Sequence, residues 1–164
     1  MNDIKIRKAR KKDRHVISRL TGLYPNTLYR SAKEIEKNIN NYLIAVNQKE
    51  KVIGCCGYKI WDDSAEIISW IIEKQYRKRG LGLLLLQNVI KNLKKKAEIK
   101  NIFVVTTRQL ADRIFKKIGF VEVGIQMFPE KVLLDCKKCK KNYCSFGKYA
   151  CDEIALLYKN GIEI

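Results

Sequence analysis

The chain has 164 residues, 46% of them hydrophobic and 31% charged, a balance that builds one globular domain with a sizeable core and excludes a disordered chain. No run reaches the roughly 18–20 apolar residues of a membrane span, and the N-terminal "MNDIKIRKARKKDR" has no apolar h-region, so a soluble, cytoplasmic protein without a membrane partner is expected. The net charge of +17, from 34 Lys and Arg against 17 Asp and Glu, biases the chain toward anionic ligands, but the lysines are spread along its whole length, without a basic tail or interleaved aromatics, so nucleic acid is not the expected partner.

A first strand is predicted around Ile4 to Lys8, then a helix from Asp13 to Leu23 that carries His15, the one histidine, with no evident ligand or base role. A second helix follows over Ser31 to Ile39, where Ser31 and Glu34 have capping-box spacing. "YLIAV" and "VIGCCGYKI" read as two strands joined by the hairpin "NQKEK", and "AEIISWII" as a strand apolar enough to be buried on both faces. After "EKQYRKRGLG", residues Leu86, Val89, Ile90, Leu93 and Ala97 recur at spacings of three and four, an amphipathic helix. "IFVVTT" is the next strand, Leu110 to Ile118 the next helix with Gly119 as its C-cap, and "FVEVG" and "EIALLYK" close the sheet. This order is an α+β layout with a mixed sheet.

The stretch "YRKRGLG" re-enters a helix from a buried strand. Gly80 and Gly82 permit positive φ and close approach of a ligand to the main chain, the first N–H groups of the helix lack intrahelical partners, and Arg77, Lys78 and Arg79 add positive charge. Two readings are open on these residues alone: a cradle for a diphosphate, or a helix start with solvated charges.

In its wider context, "SWIIEKQYRKRGLGLLLLQNVI" fits R-x-x-G-x-G between a hydrophobic strand and an amphipathic helix, and it resembles the acetyl-coenzyme A segment of GNAT N-acetyltransferases. "ADRIFKKIGFVEVG" resembles the second signature of that family. Together with "LYRSAKEIEKNINNYLIA", "IFVVTTR", "FPEKVLLDCKKC" and "CDEIALLY", these stretches resemble the short amino-acid N-acetyltransferases related to the acetyltransferase domain of N-acetylglutamate synthase. The resemblance implies the GNAT fold, a mixed central sheet of about six to seven strands flanked by about four helices. It implies a single domain over residues 1–164, with a Cys-rich segment at about 129–152 before the last strand, and a homodimer is compatible with it. The implied activity is acetyl transfer from acetyl-CoA to the α-amino group of a small amino acid, glutamate being favoured, as in arginine biosynthesis. A protein N-terminus, a lysine or an aminoglycoside is the alternative acceptor within the class, and a non-catalytic, basic, zinc-containing module the alternative outside it.

By the same resemblance, backbone groups of Trp70, Ile71 and Ile72 bind the pantetheine and thioester, and Arg77, Lys78, Arg79, Gly80, Leu81 and Gly82 take the diphosphate. Phe115 stands where many of these enzymes have a tyrosine that protonates the thiolate; it is expected to pack on the pantetheine, leaving the acid role to water, Tyr143, Tyr149 or no group at all. Glu66 is the expected general base. Alternation along "AEIISWII" sets it on one face with Ile68, Trp70 and Ile72, and a carboxylate in apolar surroundings is a stronger base; the alternative is a strand-end glutamate facing solvent. Arg30 and Arg108, with Lys59 as a third candidate, are expected to hold the carboxylates of an acidic acceptor, against the alternative that all three are surface charges.

Cys136, Cys139, Cys144 and Cys151 fall within sixteen residues, and the C-x-x-C pair has the form of a metal knuckle. Two readings stand: a four-thiolate zinc site that the acetyl-transfer chemistry would not need, or reduced packing thiols.

Overall fold

The N-terminal part of the chain is organised around the predicted hairpin. Strand β1 (Lys5–Lys8), helix α1 (Arg14–Leu23) and helix α2 (Ala32–Lys37) lead into β2 (Tyr42–Val46) and β3 (Val52–Trp61), and then come β4 (Ser64–Ile72) and helix α3 (Leu81–Leu93). The computed structural model describes residues 4–24, 27–139 and 151–159, and the chain divides into two units, Met1–Lys59 with Ile67–Ala97 and Ile60–Glu66 with Glu98–Ile164. Seven strands are described. In hydrogen-bonded order, β1-β2-β3-β4 belong to the first unit, and β5 (Asn101–Thr107), β7 (Glu153–Tyr158) and β6 (Phe120–Val123) to the second, β3 and β4 each having residues in both.

In the first unit β2 pairs antiparallel with β1 and with β3, and all five of its residues are buried, as its apolar, β-branched composition requires. Ser31 caps α2, its Oγ accepting from the Glu34 amide at 3.2 Å. The second half of the capping box is not made with Ser31, because the Glu34 carboxylate accepts from Arg30 Nη1 instead. Ile17 and Leu20 of α1, Ile35 of α2, Ile44 of β2, and Ile68 and Ile71 of β4 form one buried cluster. Ile68 and Ile71 are three residues apart, a spacing that strict alternation would place on opposite faces. The cause is Ser69, which takes the left-handed region at φ 52° and resets the alternation. The face shared by Glu66, Ile68, Trp70 and Ile72 in the sequence reading therefore ends at Ile68.

The second unit holds β5 (Asn101–Thr107), a helical segment, β6 (Phe120–Val123), helix α5 (Pro129–Leu134) and β7 (Glu153–Tyr158). The last strand pairs antiparallel with both β5 and β6. The segment expected as one helix over 110–118 is a short α-turn α4 (Arg108–Leu110), a π-turn over Ala111–Phe115 and a 3₁₀ turn over Lys116–Ile118. Gly119 ends it at φ 95°, as expected of a C-cap. Trp61, Phe103, Phe128 and Ala155 form the core cluster here, with the rings of Phe103 and Phe128 stacked at 3.6 Å.

Gly54 of β3 fixes how closely β4 can approach, since a Cβ there would lie 2.8 Å from the Ile71 carbonyl oxygen and 2.5 Å from Ile72 Cδ1. Gly54→Ala is expected to cost about 1–3 kcal/mol by overpacking. The urea midpoint should fall with an unchanged m-value, and an unchanged midpoint would show that β4 yields freely at this point.

Candidate active site

The loop from β4 to α3 has the backbone of an anion cradle. Beyond Ile72 the chain makes a 3₁₀ turn (Lys74–Tyr76), then places Lys78 at φ 62° and Gly80 at φ 75°, both left-handed, before α3 begins at Leu81. A Cβ on Gly80 would meet nothing within 4 Å, so glycine is required there by conformation and not by space. The helix makes its first backward bond from the Leu84 amide to the Gly80 carbonyl at 3.0 Å, which leaves the N–H groups of Leu81, Gly82 and Leu83 without an intrahelical acceptor. Trp70 braces this helix start: its Nε1 donates to the Gly82 carbonyl at 2.8 Å, and a Cβ on Gly82 would lie 3.3 Å from the indole. Arg77 is a brace as well, with Nε donating to the Ile72 carbonyl at 2.8 Å and the guanidinium 4.5 Å above the Tyr24 ring. Lys78, Arg79 and Gly80 are exposed. A cavity of about 350 Å³ opens beside them, lined by Tyr76, Arg79, Leu81, Leu84, Asn47 and Ile6 among others.

Glu66 lies earlier on β4 and is only 3% exposed, so it is not a strand-end residue facing solvent. Nor are its surroundings purely apolar. Lys131 of α5, itself 7% exposed, sets its Nζ 2.7 Å from Glu66 Oε1, and the Trp61 Nε1–H donates to Oε2 at 2.9 Å. Asp135, one turn further along, lies 3.3 Å from the same ammonium. Burial pushes the Lys131 ammonium toward losing its proton, but the charge and hydrogen bond of Glu66, with Asp135 behind, hold its pKa above the ordinary lysine value. Trp61, Glu66, Lys131 and Asp135 all belong to the second unit. The sequence reading missed Lys131 and Trp61. The available signal was a lysine and an aspartate four apart in "PEKVLLD", a spacing that pairs them on one helical face.

Of the three candidate cations for the acceptor, Arg30 and Lys59 belong to the first unit and Arg108 to the second. Arg108 opens α4, is exposed, and grips Glu122 with two bonds of 3.0 and 2.9 Å; these raise the arginine and lower the glutamate pKa. Arg30 is buried in the first unit, where it pairs with Glu34, while its backbone N–H donates to Thr21 Oγ1 and its carbonyl accepts from Ser18 Oγ. Lys59 is half-buried near the end of β3. Phe115 is 1% exposed and set edge-on to Phe120 at 5.3 Å, a core ring that supplies no acid group. His15 is exposed on α1.

Cys144 lies outside the described residues, as do Tyr143 and Tyr149. Among the described residues, Cys136, Cys139 and Cys151 do not come together in a group of three or more ligands able to hold a metal. Cys136 is half-buried, and burial holds its thiol above the ordinary range, with Lys131 pulling the other way. Cys151 is exposed.

A backbone cradle suited to a diphosphate stands at the start of α3, and a carboxylate is buried on β4. The model of the Acetyltransferase (GNAT) family matches residues 13–120, and the chain belongs to that family, with its α+β fold and its acetyl-transferring activity. An uncharacterized N-acetyltransferase of Chlorobaculum tepidum is 33% identical over 159 residues, spanning 94% of this chain and 96% of that one. The amino-acid acetyltransferase of Vibrio vulnificus is 32% identical over 102 residues, which cover 61% of this chain and 22% of that protein. In fold, the N-acetylglutamate synthase of Neisseria gonorrhoeae, solved with coenzyme A and N-acetyl-glutamate, is similar at a TM-score of 0.76 and 22% identity over 94% of this chain and 34% of that one. The chain thus spans about a fifth to a third of the length of these last two proteins.

Because Gly80 has open space around it, Gly80→Ala isolates the conformational requirement. A left-handed alanine costs about 1–2 kcal/mol, which corresponds to roughly tenfold weaker affinity for coenzyme A. Titration calorimetry with coenzyme A reads it, and unchanged affinity would remove the loop from the donor site.

Proposed function

We propose that this protein is an acetyl-CoA-dependent N-acetyltransferase of free amino acids, a single catalytic domain acting in the cytoplasm, with glutamate the favoured acceptor and arginine biosynthesis the setting. The observation that carries the mechanism is the buried Glu66 carboxylate, four residues along β4 from Trp70, which braces the helix start of the donor cradle. The similarity to an amino-acid acetyltransferase, and in fold to an N-acetylglutamate synthase, supports the acceptor class.

The reaction requires no covalent enzyme intermediate. Glu66 takes a proton from the acceptor's ammonium, and the freed lone pair attacks the thioester carbonyl carbon. A tetrahedral oxyanion forms, its nitrogen releases the second proton to water, the C–S bond breaks, and the thiolate leaves with its electron pair and is protonated by water, since Phe115 carries no hydroxyl. The cradle's backbone N–H groups and positive charges hold the diphosphate, so that the thioester is positioned before the chemistry begins. Arg108, whose guanidinium already grips a carboxylate with two parallel bonds, is assigned the side-chain carboxylate of the acceptor.

Thiol release from acetyl-CoA with a panel of amino acids, a lysine peptide and an aminoglycoside tests the acceptor. Release with glutamate is expected, and release with the peptide or the drug alone would overturn the reading. Glu66→Gln should lower kcat by about 10²–10⁴-fold, the usual worth of a general base, with the KM for acetyl-CoA little changed. Wild-type turnover in that variant would remove Glu66 from the chemistry. Arg108→Ala should raise the KM for glutamate far more than that for acetyl-CoA, and equal effects on both would exclude Arg108 from the acceptor site.

A further inference from the structure

The chemistry above uses Glu66 but not the lysine that meets it. Helix α5 is only six residues long, yet it carries Lys131 to 2.7 Å from Glu66 Oε1 at a point where both side chains are more than nine-tenths buried. Burying two charges is costly, and an apolar pair of the same volume commonly holds a fold at least as well, so stability alone gives a weak reason for the pair. Its geometry suits a particular ligand. In an α-amino acid the ammonium and the carboxylate are bonded to the same carbon, which leaves nitrogen and oxygen about 3 Å apart, close to the separation of Lys131 Nζ and Glu66 Oε1.

We propose that the Glu66–Lys131 pair receives the acceptor as a zwitterion, with its α-ammonium on Glu66 and its α-carboxylate on Lys131. The proposal rests on the reading of Glu66 as the base. It makes Lys131 the residue that selects free α-amino acids from amines that have no neighbouring carboxylate, such as lysine side chains, peptide N-termini and aminoglycosides. On binding, one internal ion pair is exchanged for two ion pairs with the ligand, so the net buried charge does not change. The partners of the pair are arranged to survive that exchange. Trp61 holds Oε2 and leaves Oε1 as the exchanging oxygen, while Asp135, 3.3 Å from Nζ, steadies the ammonium from its other side.

The test compares the amino acid that gives the fastest thiol release with its α-amide, which keeps the amine and side chain but loses the α-carboxylate. For the wild type, kcat/KM for the amide should be about 10–100-fold lower, the worth of one charged hydrogen-bonded contact. In Lys131→Met the amino acid should fall by a similar factor and the amide should not, so the discrimination collapses; Lys131→Arg should recover part of it. Equal losses for both acceptors in Lys131→Met, or an amide as good as the amino acid with the wild type, would overturn the proposal. If the methionine variant does not fold, Lys131→Arg takes its place: partial loss of the discrimination supports the proposal, and wild-type discrimination with unchanged rates overturns it. Failure of the underlying reading would show differently: Glu66→Gln would turn over at the wild-type rate while the discrimination by Lys131 persisted.

Discussion

The site depends on one backbone residue, Ser69. A strand that alternated strictly from Ser64 to Ile72 would set Glu66, Ile68, Trp70 and Ile72 on the same face. The left-handed conformation at φ 52° costs a non-glycine residue about 1–2 kcal/mol and resets the alternation in a single step. Ile68 and Ile71 then both enter the apolar cluster of α1 and α2, while Trp70 reaches the start of α3. The strained residue is itself held: Ser69 is buried, and its carbonyl accepts from the Cys55 thiol at 3.3 Å. Packing of the four isoleucines around it, Ile67, Ile68, Ile71 and Ile72, exceeds a penalty of this size, since burying each is worth about 1.5–3 kcal/mol.

What could be read from the sequence was what is encoded locally. The hairpin, the Ser31 cap, the Gly119 terminus and the R-x-x-G-x-G helix start each depend on residues a few positions apart, and each forms where propensity and spacing put it. Ser69 could not be read, because serine carries no left-handed signature and the apolar run on either side looks regular. Lys131 could not be assigned to Glu66 because its partner lies on a distant strand and only the fold joins them. Arg30 and Arg108 were legible as cations but not as to their partners. Arg30 is turned into the first unit against Glu34, and Arg108 lies on the surface of the second against Glu122. The π-turn over Ala111–Phe115 also lay beyond pattern reading, since single π turns are rare and have no side-chain signature of their own.

The excess of basic residues shapes the electrostatics in two ways. Several carboxylates have more than one cation: Glu73 faces Arg19 and Lys51, and Glu122 faces Arg108 and Lys116. Such exposed pairs contribute little to stability, and their main effect is to leave the surface net positive. At the donor loop, where Lys78 and Arg79 are exposed beside helix N–H groups, the same excess becomes a field that draws in anions and weakens with salt. Glu66 stands outside that field effect because its charge is matched inside the protein by its own lysine.

Phe115 has no hydroxyl with which to protonate a thiolate, so the proposed mechanism leans on the Glu66 carboxylate. A thiolate is a stable enough leaving group to depart without an acid beside it, so losing a hydroxyl there costs the reaction less than losing a proton acceptor would. An amino acid's ammonium, by contrast, is almost wholly protonated at neutral pH and cannot attack until a base has acted. The step that most needs a protein is therefore deprotonation of the acceptor, the step that the proposed mechanism gives to Glu66. Under the proposals made above, selectivity for the acceptor and its activation both fall to the buried cluster of Trp61, Glu66, Lys131 and Asp135.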